Sequence, residues 1–339
     1  SCTNSPFPEA SMRLVSYQLP LATGPVTRIG AVLADGRYAD LQAAYRSSVV
    51  RKHGAAATGA ERLAAAAIPG DMVAFIENGN LALDAAREGL AFIAAEGDAG
   101  TDGSQLAHHP KGVRLLAPLP RPPLIRDFMA FEQHLKNIYP RLGREIPPQW
   151  YELPVYYKGN PSSVGADGDV IKMPAYAPTF DFEFEFAAVI GRGGVNIPRE
   201  KAMGHIFGYM IYNDFSARDM QQREMSVGLG PAKGKDFQRG HVFGPWLVTA
   251  DEIADIYALR MSAKVNGESW TESNTSTMHW RFDQMIAHAS TDEMLVAGEI
   301  FGSGTVGGGS AAEVGKSLKQ GDKVVLAVDG LGTLSNTVG

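Results

Sequence analysis

The chain has 339 residues, 45% hydrophobic and 20% charged, with a formal net charge of -6, which is enough for one large core or two domains of ordinary size. The acidic balance, with no lysine/arginine run, excludes a nucleic-acid or anionic-membrane surface, because those partners demand a basic patch. A single cysteine, Cys2, excludes an internal disulfide and a cysteine-built zinc site.

In chain order, residues 1–11 are small, polar and proline-bearing, and Met12 is the expected natural start, so 1–11 read as an extension or cloning scar. The longest apolar stretches, such as 63–68, are too short to span a bilayer, and no charged-then-apolar leader opens the chain. The protein is therefore expected to be soluble and cytoplasmic. Residues 12–117 show strand patterns at 13–18 and 28–33, a turn at Asp35-Gly36, and alanine-rich helical stretches at 55–67 and 81–95. The stiff Pro118-Leu-Pro-Arg-Pro-Pro123 reads as a domain connector.

Residues 124–339 are dominated by strand patterns, at 183–190, 206–214, 245–249, 259–265, 299–304 and 323–328, ending in an Asp329-Gly330 hairpin signal. Helices are expected to be few and short: one from Pro198 to Gly204, and one opened by Thr291-Asp-Glu-Met. Without regular βαβ alternation the fold class is α+β, mainly β: a small N-terminal domain and a C-terminal mixed β-roll.

Chemistry concentrates in the second part. Phe180-Asp-Phe-Glu-Phe-Glu-Phe186 alternates with period two, so Asp181, Glu183 and Glu185 share one strand face and four phenylalanines the other. Successive carboxylates on that face start about 6.5–7 Å apart, close enough to converge on one hard cation. The alternative is a strand wetting its acidic face. Asp127 and Asp214 stand at strand ends beside apolar runs, where burial is costly unless Arg218, Lys235 or a metal meets them. Four such oxygens suit Mg²⁺, Mn²⁺ or Ca²⁺.

Six segments arrive in one order: Arg126-Asp-Phe-Met-Ala-Phe-Glu-Gln-His134, Pro154-Val-Tyr-Tyr-Lys-Gly159, Asp181-Phe-Glu-Phe-Glu185, His205 through Asp219, Gly230-Pro-Ala-Lys-Gly-Lys-Asp-Phe237 and Gly302-Ser-Gly-Thr305. In that order they resemble the fumarylacetoacetate hydrolase family. The resemblance implies metal ligation by Asp127, Glu183, Glu185 and Asp214, His134 as general base, Glu313 as the carboxylate that orients it, and a homodimer. Met225 stands where a substrate-binding tyrosine is expected, which puts fumarylacetoacetate itself in doubt as substrate, and Gln238-Arg239, whose bulk is expected to remove an auxiliary cation site, replaces a Gly-Thr pair.

The chemistry follows. A divalent metal chelating a 2-oxo or β-diketo acid polarises its carbonyl and steadies the enolate that departs. His134, held in its productive tautomer by Glu313, activates water. Lys235 stabilises the alkoxide with Gln221 as helper, Thr305 and Arg218 contact substrate, and Tyr157 lines the pocket. Arg141, Arg144 and Lys158 are candidate clamps for a second carboxylate. The expected activity is metal-dependent hydrolysis of a C–C bond in an acylpyruvate-type β-diketo acid, as in aromatic catabolism. The alternatives are a lyase or isomerase on the same scaffold (oxaloacetate decarboxylation, or hydration or tautomerisation of a 2-oxo-alkenoate) and a non-catalytic module holding a structural metal. Gly302-Ser-Gly-Thr-Val-Gly307 matches a dinucleotide fingerprint only in spacing, for no βαβ unit surrounds it.

Overall fold

A computed structural model describes residues 12–54 and 56–339, so the expected extension at 1–11 lies outside the described residues. The chain separates into two compact units, Ser1–Leu119 and Pro120–Gly339, with the division inside the proline-rich stretch.

The first unit is a small sheet with helices. Strands β1 (Arg13–Leu19) and β2 (Val26–Val32) pair antiparallel, and β3 (Tyr38–Asp40) follows through the turn at Asp35-Gly36. Asp40 then caps α1 (Leu41–His53), its side chain accepting the Ala43 N–H at 3.0 Å. Helix α1 was not anticipated, because its buried stripe of Leu41, Ala44, Ser47, Ser48 and Val49 is too polar to stand out. Helices α2 (Ala57–Ala67), α3 (Met72–Glu77) and α4 (Asn80–Glu96) come next, then short strands β4 (Ala107–His108) on β3 and β5 (Arg114–Leu115) on β1.

The second unit opens with β6 (Ile125–Phe128), α5 (Glu132–Ile138), β7 (Tyr156–Gly159) and the short β8 (Val164–Gly165), β9 (Val170–Ile171) and β10 (Phe180–Asp181). Then come β11 (Phe184–Ile190), α6 (Arg199–Ala202), β12 (Ile206–Asp214), β13 (Ser216–Ala217), α7 (Arg218–Met225), α8 (Ala232–Lys235) and β14 (His241–Thr249). The chain closes with β15 (Arg260–Val265), β16 (Glu268–Asn274), α9 (Phe282–Ala289), β17 (Ile300–Gly302) and the hairpin β18 (Lys323–Val328) and β19 (Gly332–Val338). One mixed sheet runs β14-β12-β11-β17-β6-β7 and a second runs β16-β15-β18-β19-β9. A single apolar cluster joins residues of both, Phe184, Ile211 and Phe301 from the first with Met261, Leu326 and Leu334 from the second.

Three expectations are corrected. The alternation at 180–190 is not one strand: Phe180 and Asp181 pair with Ala217 and Ser216, Phe182 lies between, Glu183 bridges Ser310, and β11 starts at Phe184. Asp181 is drawn aside by Arg218 and by the N–H groups of Ala311 and Ala312. Nor is the acidic face wet, since Asp181, Glu183 and Glu185 are as buried as the four phenylalanines. Thr291 opens turns rather than a helix: Asp292 has φ 53°, its N–H goes to Asn196, and Glu293 turns back to Arg126 and Lys158. Helix α9 ends just before it, while α7, with no buried residue, carries no apolar stripe to announce it.

Phe186, fully buried edge-on to Phe282 at 5.4 Å, sits at the centre of this core. Phe186→Ala should cost about 3–5 kcal/mol of stability, checked by urea unfolding monitored at two wavelengths.

Candidate active site

Strand pleat explains how the acids meet. On β11, Phe184, Phe186, Ala188 and Ile190 belong to the apolar cluster, so Glu185 points to the opposite face. On β12, Tyr209 and Ile211 are core, which turns Tyr212 and Asp214 to the side of Glu185, and Glu185 pairs directly with Tyr212. Asp127 of β6 lies opposite Gly302 of β17, which in turn lies opposite Ala187 of β11. Gly302 opens the space between them: a Cβ there would collide with Asp127 Oδ1 and come within 2.9 Å of the Tyr212 ring.

One oxygen each from Asp127, Glu185 and Asp214 lies within 4.8 Å of the others, and all three residues are buried. Glu183, the fourth expected ligand, stands beside them with both oxygens on cations, Oε1 on Arg218 Nη1 at 2.7 Å and Oε2 on Lys235 Nζ. Lys235, 1% exposed, also reaches Asp214 Oδ2 at 2.6 Å and donates to Ser216 Oγ at 2.7 Å. The Arg218 guanidinium is shared by Asp181, Glu183 and Gln221. The Tyr157 hydroxyl donates to Asp214 Oδ2 at 2.7 Å.

His134, on α5, places Nδ1 2.9 Å from Glu313 Oε2. Glu313 is buried and further fixed by Asn137 Nδ2 at 2.9 Å, the Gly308 N–H at 2.8 Å and Ser310 Oγ at 2.9 Å. Asn137 is three residues from His134, on the same face of α5. Thr305 is buried in the loop after β17, whose Gly304 N–H donates to Glu185 Oε2 at 2.8 Å. Of the candidate clamps, Arg141 donates to the carbonyls of Ala312 and Glu313 and Lys158 to Glu293, while Arg144 is exposed. Met225 is partly exposed, and Arg239 pairs with Asp169 at 3.3 Å. Sequence reasoning missed Ser216, Ser310, Asn137, Tyr212 and His241. Only Asn137, by its helical spacing from His134, carried a signal.

Burial pushes the Asp127 and Glu185 carboxyls well above the usual carboxylate range, and the facing charges, first Asp214 for Asp127 and first Asp127 for Glu185, push further. Burial acts the same way on Asp214 and Glu183, but there the Lys235 ammonium outweighs it, with His241 adding for Asp214 and Arg218 for Glu183, and both are held low. Burial opposes the charge on Lys235, yet Asp214 and Glu183 keep it firmly protonated. His241 is pulled down by burial and raised to about 9 by its contacts with Asp214 and Asp236. Glu313, despite burial, is lowered by the hydrogen bond and charge of His134.

Asp127 Oδ1, Glu185 Oε1 and Asp214 Oδ1 are buried with no hydrogen-bond partner. Three orphaned carboxylate oxygens converging in a buried site fit a hard divalent cation, which satisfies them and removes the like-charge repulsion together.

Residues 124–339 match the family model "Fumarylacetoacetate (FAA) hydrolase C-terminal". The chain belongs to the fumarylacetoacetate hydrolase family. Within it, the chain is 33% identical over 98% of its length to a mitochondrial oxaloacetate tautomerase of Xenopus laevis, covering 92% of that protein. It is likewise 33% identical over 67% of its length to an oxaloacetate tautomerase of Bacillus subtilis, covering 73% of that one. A maleylpyruvate hydrolase of Sphingobium sp. SYK-6, solved with manganese(II) and pyruvate, shares the fold with a TM-score of 0.66 at 22% identity over 96% of this chain and 98% of that one. The family's mixed α/β architecture is thus the one found here.

Because Asp127 and Glu185 keep their protons to unusually high pH, Mn²⁺ must displace protons to bind, and its affinity should rise with pH as these groups ionise. Calorimetry in two buffers of different ionisation enthalpy reads the proton release directly; the same titration on Asp127→Asn should show no binding.

Proposed function

We propose that this enzyme interconverts the keto and enol forms of oxaloacetate or a closely similar 2-oxo dicarboxylic acid. The observation that carries the reading is the buried His134–Glu313 pair together with the orphaned acid triad of the same unit. The Xenopus laevis tautomerase, aligned over 98% of the chain, supports the choice of reaction. Asp127, Glu185 and Asp214 would hold a divalent cation, which when bound supplies Lewis-acid polarisation of the substrate's 2-oxo group. His134 takes the proton from C3 and returns it to the enolate oxygen, or the reverse. Glu313 on Nδ1 fixes the tautomer that leaves Nε2 for that proton and stabilises the imidazolium formed. Lys235, oriented by Ser216, meets the negative charge as it moves to oxygen. Thr305, Gln221 and Arg218 hold the substrate carboxylates, and Tyr157 closes the wall beside Asp214. Among the described residues no helix is long and apolar enough to cross a membrane; a cytoplasmic homodimer is the setting the family resemblance and composition support.

Hydrolysis of an acylpyruvate is the second reading. The His134–Glu313 pair favours it, since the same base activates water as readily as it moves a carbon-bound proton.

Enol oxaloacetate and a panel of acylpyruvates, followed by diketone and enol absorbance with pyruvate and CO₂ assayed separately, decide between them. Faster loss of the enol signal without pyruvate or CO₂ supports the tautomerase; pyruvate with a carboxylic acid establishes the hydrolase. In either case His134→Ala should lower kcat by about 10²–10⁴-fold and leave Mn²⁺ affinity unchanged. Turnover retained in that variant would remove His134 from the mechanism.

A further inference from the structure

His241, on β14 opposite Asp214 of β12, is fully buried and plays no part in the chemistry above. Both of its ring nitrogens point to polar groups. Nε2 is 2.8 Å from Asp236 Oδ1, while Nδ1 lies 2.8 Å from the Tyr212 hydroxyl and 3.2 Å from Asp214 Oδ1. Asp236 is itself anchored, its Oδ1 accepting the Asn160 N–H at 2.8 Å and its carbonyl accepting from Ser163 Oγ at 2.9 Å. The neighbouring strand makes room for the ring at Gly159, where a Cβ would come within 2.9 Å of His241 Cε1 and 3.0 Å of Nε2.

A chain of contacts thus runs from the Asn160 N–H and the Ser163 hydroxyl through Asp236 and the imidazole to the one triad carboxylate whose other oxygen is already taken by Tyr157 and Lys235. Oδ2 of Asp214 is fixed from one side, and His241 is the only neighbour among these that addresses Oδ1, the oxygen left without a hydrogen bond. A residue that merely filled the core would need no polar atoms, and burying them unpaired would cost stability. Groups behind a metal-binding carboxylate set its orientation, and their loss typically costs 10–100-fold in metal affinity.

We propose that His241, braced by Asp236, is a positioning residue that holds the Asp214 carboxylate in the orientation it presents to a divalent cation. The inference rests on the reading of Asp127, Glu185 and Asp214 as a cation site. Mn²⁺ affinity of the metal-stripped protein, read by electron paramagnetic resonance of the free ion, tests it in four variants. Asp214→Asn should abolish binding. His241→Gln keeps an amide toward Asp236 but withdraws the nitrogen facing Asp214, and Asp236→Asn keeps the ring and an accepting oxygen but removes the charge that braces it; both should weaken Mn²⁺ binding by about 10–100-fold. His241→Asn, whose amide nitrogen falls near the place of Nδ1, should bind Mn²⁺ more tightly than the Gln variant, though it lacks the contact with Asp236. If Asp214→Asn abolishes binding while the Gln and Asp236→Asn variants bind as the parent does, the positioning role is wrong and the cation site stands. Equal losses in the Gln and Asn variants reduce His241 to packing. Undiminished Mn²⁺ binding by Asp214→Asn overturns the cation site and this inference together. Should the Gln variant not fold, Asp236→Asn decides.

Discussion

The structure depends on one electrostatic constraint: Asp127, Glu183, Glu185 and Asp214 are buried on the same side of a sheet, with Lys235, Arg218 and His241 in contact with them. Four buried carboxylates cannot all ionise without matching positive charge, and Arg218 also answers Asp181. The site resolves this by division. Glu183 and Asp214 take Lys235 and stay ionised, while Asp127 and Glu185 face each other and hold on to protons. That division leaves three carboxyl oxygens without partners, on Asp127, Glu185 and Asp214, and a divalent cation that displaces the retained protons satisfies all three.

The rest of the second unit keeps this arrangement rigid. The reverse face of the same strands is packed with Phe184, Phe186, Ile211 and Phe301, so a strand cannot slip by one residue without exchanging carboxylates for phenylalanines. Gly302 keeps the centre of the acid row free of side chain. Asp181 ties the two halves of the chemistry together: it binds Arg218, which holds Glu183, and accepts the N–H groups of Ala311 and Ala312, which precede Glu313. The His134–Glu313 pair and the acid cluster are therefore positioned by a shared set of hydrogen bonds.

The same parts serve several reactions, which is why family membership alone leaves the choice between tautomerisation and hydrolysis to experiment. Both need an enol or enolate stabilised at oxygen and a base of near-neutral pKa. They differ in whether the base works on carbon or on water, and a His–Glu pair serves either.

Much of the second unit was legible because strand alternation, Asp-Gly turns and acids beside apolar runs are local signals, and six short segments in a fixed order carried the family. Residues that act through partners distant in sequence left no such trace: His241 in its strand reads as any core-adjacent histidine, Asp181 as one more acid in a row, and the Thr291 capping pattern as a helix start that Asn196 and Arg126 override. The sequence by itself determined which residue types face which side of each strand, because backbone geometry alone sets that period. Only the tertiary structure decided which carboxylates keep cations and which are left for a metal, because those energies depend on distances and burial between segments up to 176 residues apart, as for Asn137 and Glu313.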